Sequence, residues 1–389
     1  MDTEEFASVL SAVRTFVDRE VVPAEDNIEE HDEIPERIRS AAAEMGLFGY
    51  ALPEEYGGLG LTMSEEVQLA MVLGRTAPAF RSMFGTNNGI AGQVLVNFGT
   101  QEQKERYLPR LASGEAIASF ALTEPDAGSD PSGIRTKAVR TDDGYRISGQ
   151  KRFITNAPEA DVFMVFARTG ATTEGTKGIS VFAVDADLPG VVVGPADKKM
   201  GQRGAHTAEV FFDDVLVDAD ALIGGVEGEG FGAAMRSLVK GRIHIAALSV
   251  GLAERLIEES VAHAGSQTQG GTVIGEFQLV QAMLADSHAE WYAGRAMVIA
   301  AAAAYDDESD RRIAPSSTKL YCTEMVGRVA DRAVQIFGGM GYMRETKVER
   351  FYRDARLYRL YEGTSEIQKT IIAKQLLRAA GSQRRGGTA

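Results

Sequence analysis

The chain has 389 residues, of which 44% are hydrophobic and 25% are charged, a composition typical of a soluble globular protein with two or three domains. The formal net charge of -14 argues against the clustered lysines and arginines of a nucleic-acid-binding surface. Cys322 is the only cysteine, so no disulfide can form within the chain, and a reducing compartment is expected. The acidic N-terminus does not resemble a signal peptide, and the most apolar run, 296–305, is too short for a membrane span, so we expect a cytoplasmic location.

The first part of the chain, residues 1–118, is predicted to be entirely helical. Apolar residues recur at helical spacing in four stretches, at about 6–22, at 35–45, up to 73 and at 88–98. Thr100 and Gln103 stand at the spacing of a capping box, which predicts that another helix begins there.

The central part, residues 119–225, is predicted to be a compact β domain. Short runs rich in β-branched and aromatic residues lie between clusters of Gly, Pro and Asp, at 145–148, 162–167, 179–184, 191–193 and 209–212. The glycine-rich segment 224–230 is the expected linker to the last domain.

The last part, residues 226–380, returns to helical patterns. They cover 231–263, 276–304, 315–337 and 365–379, and the tail 381–389 is expected to be disordered. The fold class predicted is therefore an α+β multidomain chain. It has an N-terminal α-helical domain, a central β-barrel or β-sandwich domain and a C-terminal four-helix-bundle domain.

One carboxylate stands against a glycine immediately before the last helix, at Glu362 and Gly363. Ser365 and Gln368 fit a capping box for that helix. A glutamate that abstracts a proton from carbon must lie near its target and partly out of water, so that its pKa rises. Taken alone, a Glu-Gly pair is more often a solvated loop at a helix start.

The residues before Glu362 change that interpretation. Residues 335–342 form a glycine-dense turn, and the segment 348–356 follows it. This segment contains Arg350, Arg353 and Arg356, which with Arg359 are expected to form a solvated or ion-paired helical face. Together with 361–368, this run resembles the C-terminal signature of the acyl-CoA dehydrogenase family, and the resemblance extends over almost the whole chain. In that family the matching glutamate removes the α-proton of an acyl-CoA, which implies this role for Glu362.

Two stretches of the central part also match this family. The loop 121–130, taken alone, is an ordinary Pro/Gly/Ser/Asp connection. It nevertheless matches the family's first signature, and 150–156 matches the second. The resemblance implies that one side of an FAD flavin ring meets Phe120, Leu122 and Thr123, and that a second contact comes from Phe153, Ile154 and Thr155. Phe153 by itself would more often be a core residue.

The resemblance implies further contacts around both ligands. The expected FAD contacts also include Ser129, Phe277, Gln278, Gln335, Ile336, Gly338, Gly339, Thr364 and Glu366. The acyl-CoA substrate is expected to meet Ser129, Arg242 and Gly363. Without the resemblance, Arg242 would be read as a surface salt-bridge residue and Thr364 as a helix cap.

The implied reaction is α,β-dehydrogenation of an acyl-CoA to a trans-2-enoyl-CoA. Glu362 removes the α-proton, flavin N5 accepts the β-hydride, and electrons pass to an electron-transfer flavoprotein. A homotetramer acting in fatty acid metabolism is expected, and the length and branching of the acyl group stay open.

Three positions bear on this assignment. Gly241 matches the position at which some family members carry their base, so Glu362 is the remaining candidate. Gln267 replaces an arginine that commonly binds the FAD pyrophosphate, and the loss of one charged hydrogen bond would weaken FAD binding by about one or two orders of magnitude. We therefore expect compromised FAD retention, or a mixed oligomer in which a related subunit supplies the arginine. Val239 replaces an acid that commonly contacts CoA.

Other functions stay open from the sequence. An acyl-CoA oxidase would share Glu362 and FAD but produce peroxide, and a flavin monooxygenase would leave Glu362 without a role. A non-catalytic partner subunit is a third alternative, which the two replacements favour and the intact Glu362 disfavours. The five histidines are scattered without the spacing of metal ligands, so no metal site is expected.

Overall fold

The computed structural model describes residues 1–386, with the side chains of 172–173 and 381–386 excepted. Its first part is helical, as predicted. The helices are α1 Thr3–Phe16, α2 Glu25–His31, α3 Glu36–Glu44, α4 Met63–Leu73, α5 Pro78–Asn88, α6 Gly92–Phe98 and α7 Gln101–Ser113. The capping box predicted at Thr100 and Gln103 is confirmed, since each side chain bonds the backbone N–H of the other residue.

The second part forms a mixed, curled β-sheet. The strands are β1 Ala118–Ala121, β2 Lys137–Thr141, β3 Gly144–Thr155, β4 Val162–Arg168, β5 Ile179–Asp185, β6 Val191–Val193 and β7 Thr207–Val217. Their spatial order is β1-β4-β2-β3-β7-β6, with β5 paired to β4. β4 pairs parallel with β1 and antiparallel with β5, and it is buried along its whole length. β4 is therefore the central, fully buried strand between β1 and β5.

The third part returns to helices. They are α8 Gly230–Ser266, α9 Gln278–Asp306, α10 Ile313–Phe337, α11 Lys347–Ala355 and α12 Ser365–Gly386. A two-stranded hairpin, β8 Thr268–Gln269 and β9 Thr272–Val273, separates α8 from α9. The predicted fold class, with a helical, a β and a second helical domain in this order, is confirmed. Within the described residues, no helix combines the length and the apolar character that crossing a membrane requires.

The structure differs from the prediction in several elements. α2 and α5 are not predicted, and the helix expected from residue 88 begins only at Gly92. α5 is missed because almost every residue in it is buried, so it shows no amphipathic stripe. α12 continues to Gly386 and so enters the segment 381–389 that the sequence predicts to be disordered. That segment still contains the good helix formers Gln383 and Arg384, and 387–389 lie outside the described residues.

The core joins α4 to the long helix α8 through two glycines. A Cβ built on Gly251 would lie 2.0 Å from the carbonyl oxygen of Met71, and one on Gly74 would lie 2.4 Å from the carbonyl oxygen of Leu248. Both contacts are with backbone atoms, which cannot move aside without shifting a helix. The two glycines therefore fix the separation of α4 and α8, and with it the placement of every side chain that α8 directs inward.

We expect Gly251→Ala to destabilise the protein by about 2 kcal/mol, because the added methyl group overpacks a helix contact that has no room for it. Gly265→Ala is the matched control on α8, since a Cβ there meets no atom within 4 Å. Thermal or denaturant unfolding of both variants measures the difference. Equal stability of the two variants would contradict the close packing of α4 against α8.

Candidate active site

Glu362 lies on the turn between α11 and α12 in an unusual backbone conformation. Its φ is 53° and that of Gly363 is 93°, both in the left-handed region. That region costs a residue with a side chain roughly 1–2 kcal/mol, whereas glycine adopts it freely. The capping box predicted at Ser365 and Gln368 is wrong by one residue. Thr364 caps α12 instead, since its hydroxyl accepts a bond from the Ile367 N–H at 3.3 Å.

Two side chains hold this turn in place. Gln368 Nε2 donates to the carbonyl oxygens of Glu362 at 3.2 Å and Gly363 at 2.9 Å. Lys319 Nζ, from α10, donates to the Gly363 carbonyl at 2.8 Å. Lys319 is fully buried, and this burial lowers its pKa to about 8. The two donors satisfy carbonyl groups that the left-handed turn leaves outside any helix.

The Glu362 side chain points at Gly241 of α8. A Cβ built on Gly241 would lie 1.9 Å from Glu362 Oε2, so the missing side chain provides the space for the carboxylate. The residue as a whole is half-buried, but its Oε2 atom is buried and has no hydrogen-bond partner among the described residues. An unpaired buried oxygen of this kind is costly in a structural carboxylate and is common at catalytic positions.

Burial raises the pKa of Glu362, and three cations limit the rise. They are Arg81 of α5, Lys319 of α10 and Arg242 of α8, with Arg81 exerting the largest effect. Arg242 is itself buried with its Nε unpartnered among the described residues, and burial lowers its pKa. The structure therefore places Arg242, a predicted substrate contact, in the same charged cluster as Glu362.

The sequence gives no indication of a second part of this cluster. Arg81 Nη2 bonds His244 Nδ1 at 3.2 Å, and His244 Nε2 contacts the Tyr50 hydroxyl at 2.7 Å. All three side chains are buried. A lone histidine on a helix is more often a core residue, and 163 positions separate Arg81 from His244 in the chain, so neither spacing nor motif reveals the contact.

The two stretches predicted to contact a flavin lie side by side. The Arg152 N–H donates to the Thr123 carbonyl at 2.8 Å, and the Ser119 hydroxyl donates to the Thr155 carbonyl at 2.8 Å. The buried Lys151 Nζ reinforces this contact by donating to the Leu122 carbonyl at 3.1 Å. The end of β1 and the end of β3 thus form one continuous surface.

Phe153 is the most exposed group of that surface. Its side chain is 60% accessible and its φ is 57°, an uncommon conformation for a bulky residue. The Arg152 guanidinium lies 4.7 Å from the ring centroid. By contrast Ile154 and Leu122 are buried, and Phe120 is half-buried against Phe166. An exposed aromatic ring held in a strained conformation is suited to cover a planar ligand.

This surface is connected to α5, the helix that carries Arg81. Asn156, directly after β3, donates through Nδ2 to the Ser82 carbonyl and to the Thr86 hydroxyl, both at 2.9 Å. The β surface therefore contacts the same helix that carries Arg81, one of the cations near Glu362.

The other predicted FAD contacts differ in their exposure. Phe277 and Gln278, at the start of α9, are exposed, as are Gln335, Gly338 and Gly339, at the end of α10. Ser129 and Glu366 are also exposed, Thr364 is half-buried and Ile336 is buried. A Cβ built on Gly338 or Gly339 meets no atom within 4 Å, so their backbone is open to a ligand. Gln267 is exposed at the end of α8.

These observations fit an FAD molecule bound by more than one surface. The β surface offers an exposed ring and main-chain groups, and the open glycines after α10 allow close approach of a polar ligand to the backbone. The exposed positions at the start of α9 and the end of α10 are accessible to a ligand from outside the chain.

Comparisons with known proteins agree with this description. The sequence matches three family models, described as the acyl-CoA dehydrogenase N-terminal domain over residues 3–115, the middle domain over 119–215 and the C-terminal domain over 228–377. A probable acyl-CoA dehydrogenase of Bacillus subtilis, YngJ, is 39% identical over 376 residues, which cover 97% of this chain and 99% of the relative.

Two further similar proteins have names that mention an electron-transfer flavoprotein complex or FAD. Subunit CarC of the caffeyl-CoA reductase-Etf complex of Acetobacterium woodii is 36% identical, over 97% of this chain and 99% of the relative. The crystal structure of an acyl-CoA dehydrogenase complexed with FAD, from Bacillus anthracis, superposes with a TM-score of 0.90 at 34% identity. This similarity covers 98% of this chain and 68% of that chain.

The Gln368 contacts lead to a stability prediction. Gln368→Leu should lower the free energy of unfolding by about 2 kcal/mol, because the Glu362 carbonyl oxygen loses its donor and the Gly363 carbonyl oxygen keeps only Lys319. The exposed Lys374 on the same helix provides the control, and Lys374→Ala should change stability by less than about 0.5 kcal/mol. Denaturant titration of the two variants separates the outcomes, and a neutral Gln368→Leu would show that the turn does not need this bond.

Proposed function

The chain belongs to the acyl-CoA dehydrogenase family, and we propose that it removes two hydrogens from the α and β carbons of an acyl-CoA thioester, with Glu362 as the catalytic base. Proteins of this family are flavoproteins that bind FAD, and they are oxidoreductases acting on CH–CH groups. The observation that carries the proposal is the Glu362 carboxylate, which has a buried, unpaired oxygen and a raised pKa.

The surroundings of Glu362 support this role because they bring its basicity closer to what the α-proton requires. A proton on carbon beside a thioester is weakly acidic, so a base with an ordinary carboxylate pKa takes it inefficiently. Burial raises the pKa of Glu362 toward that of its target, while the nearby cations favour the ionised carboxylate and limit the rise. The left-handed turn fixes the position of the carboxylate, and Gly241 leaves the space that the carboxylate occupies.

We assign the binding of both ligands to the residues predicted for them. FAD would lie against Phe120, Leu122, Thr123 and the segment 153–155, and when bound it supplies the acceptor for the β-hydride. The open backbone after α10 and the start of α9 would meet the remainder of a cofactor. Arg242, Ser129 and Gly363 would contact the acyl-CoA.

We propose an electron-transfer flavoprotein as the electron acceptor. The support is the similarity to CarC, whose name places it in a reductase-Etf complex. A homotetramer is the proposed assembly. It is supported by exposed apolar side chains on α9 and α12, which in a lone chain would face water: Leu279, Tyr292, Ile299, Leu376 and Leu377.

Glu362→Gln tests the proposal directly. We expect the rate of flavin bleaching by an acyl-CoA, measured anaerobically in a stopped-flow spectrometer, to fall by about 10²- to 10⁴-fold, because the amide cannot accept the α-proton. The acyl-CoA used in this experiment is first identified by testing a panel of acyl-CoAs on the unmodified protein. The variant should retain its FAD spectrum, and the exposed Glu55→Gln should behave as the unmodified protein. Bleaching by Glu362→Gln at the normal rate would overturn the assignment of the base.

Gly241→Ala tests the space that the carboxylate occupies. Its methyl group would collide with Glu362 Oε2 and displace the base by about 1 Å, for which we expect a loss of about 100-fold in the bleaching rate. Gly232→Ala is the control on the same helix, because a Cβ there meets no atom within 4 Å. If both variants bleach equally fast, the described position of the carboxylate is not the reactive one.

A further inference from the structure

Three buried side chains from separate elements form a hydrogen-bonded row beside Glu362. Tyr50 precedes α4, Arg81 lies on α5 and His244 lies on α8. His244 occupies the middle of the row, 3.2 Å from Arg81 Nη2 through Nδ1 and 2.7 Å from the Tyr50 hydroxyl through Nε2. The Tyr50 and His244 rings are nearly parallel, with centroids 5.8 Å apart.

The partners determine where the proton of His244 resides. An arginine side chain has only donors, so the Nδ1 atom facing Arg81 must accept and carries no proton. The proton of the neutral ring is therefore on Nε2, which donates it to the Tyr50 oxygen. A second proton on Nδ1 would point at the Arg81 N–H, and burial and the Arg81 charge accordingly hold the pKa of His244 well below its usual range.

A neutral partner leaves the charge of Arg81 intact. A carboxylate in the place of His244 would hold the guanidinium equally well but would cancel most of its field. Arg81 Nε has no partner among the described residues, and the charge of Arg81 acts on Glu362 and also on Glu66 of α4. In turn Arg81 exerts the largest effect of the three cations near Glu362.

We propose that His244 is a positioning residue that holds Arg81 beside Glu362 through a neutral acceptor atom, so that the positive charge of Arg81 acts on the base. This inference rests on the proposed role of Glu362. It assigns a function to Tyr50 as well, since the Tyr50 oxygen fixes the tautomer in which Nδ1 accepts.

Other charged and titratable groups from the neighbouring elements also act on Glu362, His244 and Arg81. Glu362 also faces Arg242 and Lys319, and Lys319 in turn faces Glu324 and Glu366. His244 faces Lys240, which forms an ion pair with the buried Glu66 of α4 at 2.6 Å. The phenols of Tyr358 and Tyr361 lie near Arg81. Since Lys240 is paired with Glu66, the unpaired charge on the His244 side is that of Arg81.

The test uses two substitutions of nearly identical shape. His244→Asn places an uncharged oxygen where Nδ1 accepts, whereas His244→Asp places a charged one that neutralises Arg81. We expect His244→Asn to keep the pKa of Glu362. His244→Asp should raise that pKa by about one unit, because the base loses the effect of a nearby cation. Arg81→Met should raise it in the same way and provides the test if the aspartate variant does not fold.

Two measurements on the FAD-loaded protein report this pKa. The first is the acid limb of the rate of anaerobic flavin bleaching against pH, which should move to higher pH in His244→Asp and Arg81→Met. The second is the infrared C=O band of the protonated Glu362, identified by its absence in Glu362→Gln and titrated without substrate. The infrared titration distinguishes failure of this inference from failure of the proposed reaction, since it needs no turnover.

His31→Asn and His31→Asp provide the matched control, because His31 is exposed on α2 and should give no shift of either readout. Equal pKa values of Glu362 in His244→Asn and His244→Asp would overturn the inference. An unchanged value in Arg81→Met would also overturn it, since the charge that His244 is proposed to hold would then have no effect on the base.

Discussion

The candidate site depends on keeping one carboxylate out of water without giving it a direct ion-pair partner. Desolvation alone would favour the protonated form of Glu362, which cannot accept a proton, and a close ion pair would favour the ionised form but lower its basicity. The chain places three cations, Arg81, Arg242 and Lys319, around the carboxylate from three different helices. The interaction of each cation with the carboxylate varies inversely with their separation. Small changes in the position of a cation therefore change the basicity of Glu362 strongly.

The backbone supports this balance at a local cost. Glu362 adopts a left-handed conformation that a residue with a side chain rarely takes, and such strain persists only where the surroundings enforce it. Gln368 and Lys319 bind the carbonyl groups of the turn, and Gly241 removes the one atom that would occupy the place of the carboxylate. Lys319 has two effects, since its amine both fixes the turn and contributes to the field at Glu362.

The sequence predicts the parts of this arrangement that have a local pattern. The strands β4, β5 and β6 follow from short β-rich runs between turn residues, and the long helices follow from their apolar spacing. Glu362 is identified through its resemblance to a family signature. Arg81 and His244 cannot be found in this way, because α5 is buried on every side and the contact joins residues far apart in the chain. The capping residue of α12 is misplaced by one position because Thr364 and Ser365 are equally good caps, and only the contact of Ser365 with Glu324 distinguishes them.

The distribution of these groups explains why the site needs all three parts of the chain. The C-terminal helices carry Glu362, the proposed base, and fix its backbone, the β domain carries the surface around Phe153, and α5 of the N-terminal part carries Arg81 and binds Asn156. Asn156, which follows the segment that presents Phe153, binds α5 at Ser82, one residue after Arg81. The same helix therefore contacts the β surface and carries the cation that acts on Glu362. A shift of α5 would therefore change both the field at the base and the placement of the β surface. Because residues 78–88 are almost entirely buried, such a shift is resisted by core packing rather than by the site itself.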